Sequence, residues 1–182
     1  MATKAQQPLV SIVSINYDQP EVTCEMLQSL REVTYPNFET LIVDNASPTT
    51  SPDIIKEKYP EVQLIISEKN LGFAGGNNIA LKQAKGDYVL LLNNDTEVQK
   101  DFLEELFYVF ENFENVGAVG SKLINANLSL QEAGSVFLKD CSINNIVNSK
   151  HNLIIFLICG ETGIRTPDTL SSISVFKTDA FN

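Results

Sequence analysis

The chain has 182 residues, enough for one domain with a full core, and its composition of 43% hydrophobic and 20% charged residues is that of an ordinary globular protein. It carries 23 acidic against 13 basic residues, a formal net charge of −10; a field of that sign repels nucleic acid and anionic lipid, so neither is an expected partner through bulk charge. The three cysteines, Cys24, Cys141 and Cys159, are odd in number, far apart and without metal-ligand spacing, which fits reduced thiols better than a disulfide framework or a zinc site.

Residues 1–7 are polar, so no signal peptide is expected. Residues 9–15 predict a strand. Asp18 as N-cap, Pro20 in the first turn and Glu21 three residues after Asp18 predict a helix that runs to about Arg31. Residues 38–43 predict a second strand, ending at Asp44-Asn45. Ser51-Pro52-Asp53 opens a short helix that closes before Pro60, and residues 62–66 predict a third strand. A third helix is expected over 75–85, with Gly86 as its C-terminal cap. Residues 88–92 form a fourth strand so apolar that both faces are expected to be covered, as in a parallel sheet. A fourth helix over 101–113 aligns Phe102, Leu106, Val109, Phe110 and Phe113 on one face, and residues 116–119 predict a fifth strand. This alternation predicts an α/β fold with a mostly parallel sheet flanked by helices. After Phe137 the pattern decays. Residues 140–150 are polar and rich in Asn and Ser, as in a surface loop; 153–158 read as a buried strand; 160–172 have no period. The longest apolar run, residues 153–159, is far short of the ~20 needed to cross a bilayer, so no transmembrane segment is expected.

Four predicted strands end in polar residues: Asn16-Tyr17-Asp18, Asp44-Asn45-Ala46-Ser47, the stretch from Asn70 to Asn78, and Asn93-Asn94-Asp95. One such cluster is an ordinary turn. Four together, at the carboxyl ends of parallel strands, make a continuous polar rim where α/β sheets bind ligands. Gly72, Gly75 and Gly76 permit close backbone approach, and the amides of the following helix start suit an anion such as a diphosphate. Asp95 suits a hard divalent cation, but one carboxylate alone is too little to hold it tightly, so the ion is expected to arrive with a nucleotide diphosphate. A dinucleotide-binding oxidoreductase would need its glycine-rich turn directly after the first strand, where this chain has Asn16-Tyr17-Asp18-Gln19-Pro20. A nucleotidyltransferase would carry a Gly-rich, basic signature at the same place. His151 is the only histidine and reads as a surface residue, so no histidine-based triad is expected.

The motifs over 10–17, 41–47, 70–78 and 90–95, followed by Gly117-Ala118-Val119-Gly120-Ser121-Lys122-Leu123 and Gln131-Glu132-Ala133-Gly134, resemble the family 2 glycosyltransferases, most closely the bacterial rhamnosyltransferase-like subgroup. The resemblance implies a GT-A (Rossmann-like) fold, with a nucleotide-sugar-binding domain over 8–137 and a divergent or truncated acceptor-side tail over 138–182. It implies an inverting transfer from a nucleoside-diphosphate sugar, dTDP- or UDP-linked, to a saccharide or lipid-linked acceptor in cell-surface polysaccharide synthesis. It also implies a cytoplasmic location, at the inner membrane face in the complete enzyme. By the same resemblance, Asn16 and Tyr17 border the base and Asp44, with Asn45 beside it, hydrogen-bonds it. Asn70, Gly72, Phe73, Gly75, Gly76 and Asn77 line the ribose and diphosphate. Asn93, Asn94 and Asp95 stand for the Asp-x-Asp motif, in which Asp95 and Asn93 hold Mg²⁺ or Mn²⁺. Asn93 replaces the first acid of that motif, which lowers the expected metal affinity. The family's catalytic base sits in a later Glu-Asp or Asp-Asp motif, and residues 138–182 contain neither. The chain therefore reads as the donor-binding half of an enzyme, truncated or with a divergent tail, or as a non-catalytic nucleotide-sugar-binding remnant.

Overall fold

A computed structural model describes residues 7–113, 116, 118–121, 123–125, 127–132, 135–137, 143–145, 153–156 and 173–177. Its elements in order are β1 (Val10–Asn16), α1 (Pro20–Leu30), β2 (Phe38–Asp44), α2 (Asp53–Lys58), β3 (Gln63–Ile66), α3 (Gly72–Leu81), β4 (Tyr88–Leu92), α4 (Phe102–Asn112) and β5 (Ala118–Ser121). Short strands follow: β6 (Leu123–Ile124), β7 (Leu130–Glu132), β8 (Ser135–Phe137), β9 (Ile143–Asn145), β10 (Leu153–Phe156) and β11 (Ile173–Lys177). The central sheet has the order β10-β5-β11-β4-β1-β2-β3. Strands β1 to β4 are mutually parallel, while β11 runs antiparallel to β4 and β5, and β10 antiparallel to β5. The expected α/β architecture is present.

Strand alternation splits the core in two. Val10, Ile12, Ile42 and Leu90 point to one face, where they meet Met26, Leu27 and Leu30 of α1, Ile55 of α2 and Leu103, Leu106 and Phe107 of α4. Val13, Leu41, Val43, Val89 and Leu91 point to the other, where Ala80 of α3 packs. Both faces of β1 and β4 are thus covered, which accounts for the unbroken apolar sequence of β4. Because α3 crosses on the opposite face, β4 returns on the far side of β1 from β2. The sheet therefore reverses its direction of growth at β1, and such a reversal opens a crevice at the strands' carboxyl ends.

Several local expectations are corrected. Asp18 does not cap α1: Gln19 holds the N-cap position without a side-chain bond, and Asp18 turns away with φ 55°. The third helix starts at Gly72, three residues before the expected Gly75, and ends at Leu81 with Lys82 as C-cap. Gly86 is therefore no cap. It lies where the chain enters β4 against β1, and a Cβ there would stand 2.5 Å from the Ser11 backbone nitrogen and 2.6 Å from the Tyr88 carbonyl oxygen. The buried stripe of α4 is Leu103, Leu106, Phe107 and Val109, with Phe102 and Phe110 packed at its margin; Phe113 follows the helix and is exposed. Residues 143–145, expected within a loop, form β9 and pair antiparallel with β8. The expected strand over 153–158 is observed at Leu153–Phe156. His151, Cys141, Cys159 and the stretch 160–172 lie outside the described residues.

A test of the β1–β4 seam follows from Gly86. Replacing it with Ala forces a methyl into backbone atoms that cannot give way, and the variant is expected to lose about 1–3 kcal/mol of stability by urea unfolding. An unchanged midpoint would contradict this packing.

Candidate nucleotide-sugar site

The parallel register places the ends of β1, β2 and β3 on one edge: Asn16 lies opposite Asp44, and Asp44 opposite Ile66. Asn16 is fully buried, and Asp44 and Asn45 are nearly so. A carboxylate only accepts hydrogen bonds, so the Asn16 amide must turn its NH₂ towards Asp44. Its Nδ2 donates to Asp44 Oδ1 at 2.7 Å, while its Oδ1 accepts from Thr23 Oγ1 at 2.8 Å. Ser47 closes the other side of Asp44, with its backbone N donating to Oδ2 at 3.1 Å and its hydroxyl donating to Oδ1. The Asp44 carboxylate thus sits at the end of β2 with its orientation set by Asn16 and Ser47.

The turns around it are strained and pinned. Asp18 and Ala46 both have positive φ, at 55° and 61°, a left-handed conformation uncommon outside glycine. Ser47 Oγ accepts the Asp18 N–H at 2.8 Å, and Asp18 Oδ1 accepts the Thr49 and Thr50 amides, each at 3.0 Å. Desolvation works to raise the Asp18 carboxyl, but hydrogen bonds from Thr49 and Thr50 outweigh it and hold it below the ordinary value.

Asn45 joins this edge to α3. Its Nδ2 donates to Asn70 Oδ1 at 3.1 Å and to the Gly72 carbonyl at 3.2 Å, and its Oδ1 accepts the Leu71 N–H at 3.0 Å. Asn70 Oδ1 also accepts the Gly72 N–H at 2.8 Å. Gly72 adopts φ +67°, which only glycine does freely. Gly76 has a different use: a Cβ there would stand 2.8 Å from Ile15 Cδ1, so its absence lets α3 lie against the end of β1. Asn77 is buried and bonds the Phe73 carbonyl of its own helix at 3.0 Å. Gly75 lies half-buried on α3, where a Cβ would stand 2.7 Å from Leu71 Cβ. Tyr17 and Phe73 are exposed, at 45% and 50%, on the same rim.

At the end of β4, Asn93 and Asn94 are half-buried and Asp95 is exposed. Asn94 Nδ2 donates to Thr23 Oγ1 at 3.2 Å. Asp95 lines an open groove of about 450 Å³ beside α1, together with Glu25, Glu32 and Glu97, so the local potential favours a cation. Among the described residues, no three His, Cys, Asp or Glu side chains are grouped to hold a metal ion. One exposed carboxylate with the neighbouring Asn93 carboxamide is an all-oxygen donor set. It fits Mg²⁺ or Mn²⁺ only as a weak site completed by another ligand's oxygens.

All the residues picked out from the sequence lie at the carboxyl ends of these strands or in the turn and helix that follow. Two that organise the rim went unassigned: Ser47, quoted only within a motif, and Thr23, buried on α1. A hydroxyl on the inward face of an amphipathic helix was the one signal that marked Thr23.

A doubly covered parallel sheet with a polar edge at its topological reversal defines an α/β protein with a crevice at the carboxyl ends of its strands. The profile of Glycosyl transferase family 2 matches residues 11–138, and the chain belongs to that family. It is 36% identical over 133 residues to O-antigen biosynthesis protein RfbC of Myxococcus xanthus, a match covering 71% of this chain and 10% of that protein. Among solved structures it resembles the mannosyltransferase PcManGT from Pyrobaculum calidifontis in complex with GDP-Man and Mn²⁺, with TM-score 0.58, 26% identity, and 66% of this chain and 37% of that one covered. It also resembles S. aureus TarS 1-349 in complex with UDP, with TM-score 0.51, 30% identity, and 56% and 32% covered. The chain spans well under half the length of these relatives. These neighbours bear out the GT-A fold expected from the motifs. No helix among the described residues is long and apolar enough to cross a membrane.

The Asn16–Asp44 contact yields a pH test. In Asn16→Asp two carboxylates meet where 2.7 Å now separates Nδ2 from Oδ1, and the folded state retains a proton that the unfolded state releases. Its folded-state pKa is raised, so the variant's stability deficit relative to the parent shrinks as pH falls from about 7 to about 5. Urea unfolding at both values measures it, and a deficit that grows towards acid would contradict the contact.

Proposed function

We propose that this chain binds a nucleoside-diphosphate sugar together with a divalent cation, as the donor-binding domain (residues 8–137) of an inverting glycosyltransferase. The acceptor would be a saccharide or lipid-linked saccharide in cell-surface polysaccharide synthesis, and the closest subgroup the rhamnosyltransferase-like enzymes. The observation that carries the reading is the convergence, in a family 2 chain, of buried Asp44, Asn45 and the start of α3 on one edge of the sheet. RfbC is named for O-antigen biosynthesis, and the two solved neighbours hold UDP or GDP-Man, one with Mn²⁺.

In this reading Asp44 accepts the base N–H, with Asn16 holding its carboxylate and Tyr17 bordering the ring. Uracil and thymine each present one such donor, N3–H, and UDP or dTDP is the donor nucleotide taken in this reading, to be compared with GDP. Asn70, Gly72, Phe73, Gly75, Gly76 and Asn77 line the ribose and diphosphate. The Gly72 amide is given to Asn70 Oδ1, but those of Phe73 and Ala74 have no acceptor within their helix and would offer themselves to phosphate oxygens. Asp95 and Asn93 would hold Mg²⁺ or Mn²⁺, which supplies charge neutralisation on the leaving diphosphate.

A second reading is a nucleotide-sugar-binding module without transfer activity. It is favoured by residues 138–182, which hold no Glu-Asp or Asp-Asp pair to act as base. The acids in that stretch are Asp140, Glu161, Asp168 and Asp179, of which the last three are to be examined by substitution; all four lie outside the described residues.

Titration calorimetry with UDP, dTDP and GDP tests the donor assignment. Asp44→Ala is expected to weaken UDP or dTDP binding by about 1–3 kcal/mol, and equal binding by parent and variant would refute the role of Asp44. For the cation, Asp95→Asn is expected to remove the Mn²⁺ dependence of nucleotide affinity and Asn93→Asp to increase it. Tight Mn²⁺ binding without nucleotide would contradict the single-carboxylate site.

A further inference from the structure

Thr23 lies in α1, on neither strand end, and is fully buried. Its hydroxyl nevertheless joins both ends of the candidate site. Oγ1 donates to Asn16 Oδ1 at 2.8 Å and accepts from Asn94 Nδ2 at 3.2 Å, with the Gln19 carbonyl of its own helix an alternative acceptor at 3.1 Å. One proton and two lone pairs are enough for this pattern. The result is an unbroken chain, Asn94 to Thr23 to Asn16 to Asp44 to Ser47, from the end of β4 through α1 to the ends of β1 and β2. Backbone register alone does not make this connection: the β1–β4 ladder stops at Val13 opposite Leu91, three residues before Asn16 and Asn94.

We propose that Thr23 is a positioning residue that couples cation binding at the Asn93–Asp95 turn to nucleoside binding at Asp44. The proposal rests on the nucleotide-sugar reading above. Asn94 is anchored by Thr23, so the turn that presents Asp95 is held by the same hydroxyl that orients Asn16. A cation at Asp95 fixes the turn and, through Asn94, favours the Thr23 orientation that donates to Asn16. Asn16 in that state points its NH₂ at Asp44 and leaves the carboxylate oriented for a base. Hydrogen bonds in such a chain polarise one another, and the coupling is reciprocal. Being fully buried, Thr23 cannot touch either ligand, so its substitution acts only through Asn16 and Asn94.

The readout is the factor by which Mn²⁺ raises UDP affinity, with uridine as a probe that lacks the diphosphate and so cannot bridge to the cation. Thr23→Val keeps the shape and removes the hydroxyl. It is expected to cut the Mn²⁺ enhancement for UDP by about fivefold or more, while Thr23→Ser retains it. Asn94→Ala breaks the chain at its other end and is expected to cause the same loss alone, and no further loss in the Thr23→Val background. If Thr23→Val fails to fold, Asn94→Ala still decides: a full Mn²⁺ enhancement in that variant overturns the proposal. So does a Thr23→Val protein that binds UDP more weakly by one factor with and without Mn²⁺, or one that binds as the parent does. A parent chain that binds none of UDP, dTDP, GDP and uridine overturns the nucleotide-sugar reading itself, whereas failure of the coupling alone leaves that reading standing.

Discussion

The arrangement of this edge of the sheet depends on one buried carboxamide. Asn16 is fully enclosed at the end of β1, where an unpaired amide would cost about 1–3 kcal/mol. It meets that constraint by donating from its NH₂ to Asp44 and Ser47 and accepting at its oxygen from Thr23. An apolar residue would leave Asp44 facing hydrocarbon with one donor fewer, and an acidic one would be repelled by it. The polar rim is therefore a packing solution as well as the candidate ligand surface. The same bonds that satisfy Asn16 aim the Asp44 carboxylate, and the Ser47 turn completes it at the cost of a left-handed Ala46.

The opposite face of the sheet obeys a spatial limit instead. Helix α3 must pass over β1 and β2 close enough for Asn45 to reach its first residues, and Gly76 removes the one side chain that would meet Ile15. Where α3 returns to the sheet, Ser11 Oγ accepts the Gly86 and Lys85 amides, and Glu39 Oε1 also accepts the latter. A buried serine on an apolar strand thus serves the chain reversal that brings β4 beside β1.

Much of this was legible from the chain alone. The five principal strands and their order of appearance followed from largely apolar runs, three of which, β1, β2 and β4, end in Asn or Asp, because a covered strand needs apolar residues and its exit needs polar turn residues. What escaped was governed by partners distant in sequence. Asp18 has the spacing of a capping box, but Thr49 and Thr50 compete for its carboxylate and win. The stretch from Gly72 to Gly76 has poor helix propensity, yet packing against Ile15 and Asn45 starts the helix there. Phe113 fits the apolar period of α4 but falls just past its last turn. Thr23 is separated from its partners by 7 and 71 residues, and no local pattern announces such a bond.

The fastening of α3 at both ends has a mechanical meaning. At one end Asn45 and Asn70 hold its first turn; at the other the bonds to Ser11 and Glu39 hold the segment that follows it. A load on the first turn of this helix is passed to β1 and β2 rather than taken up by a loose loop. A molecule that settles against the glycine-rich turn meets a surface whose disorder has already been removed during folding, and little further ordering entropy is lost on contact.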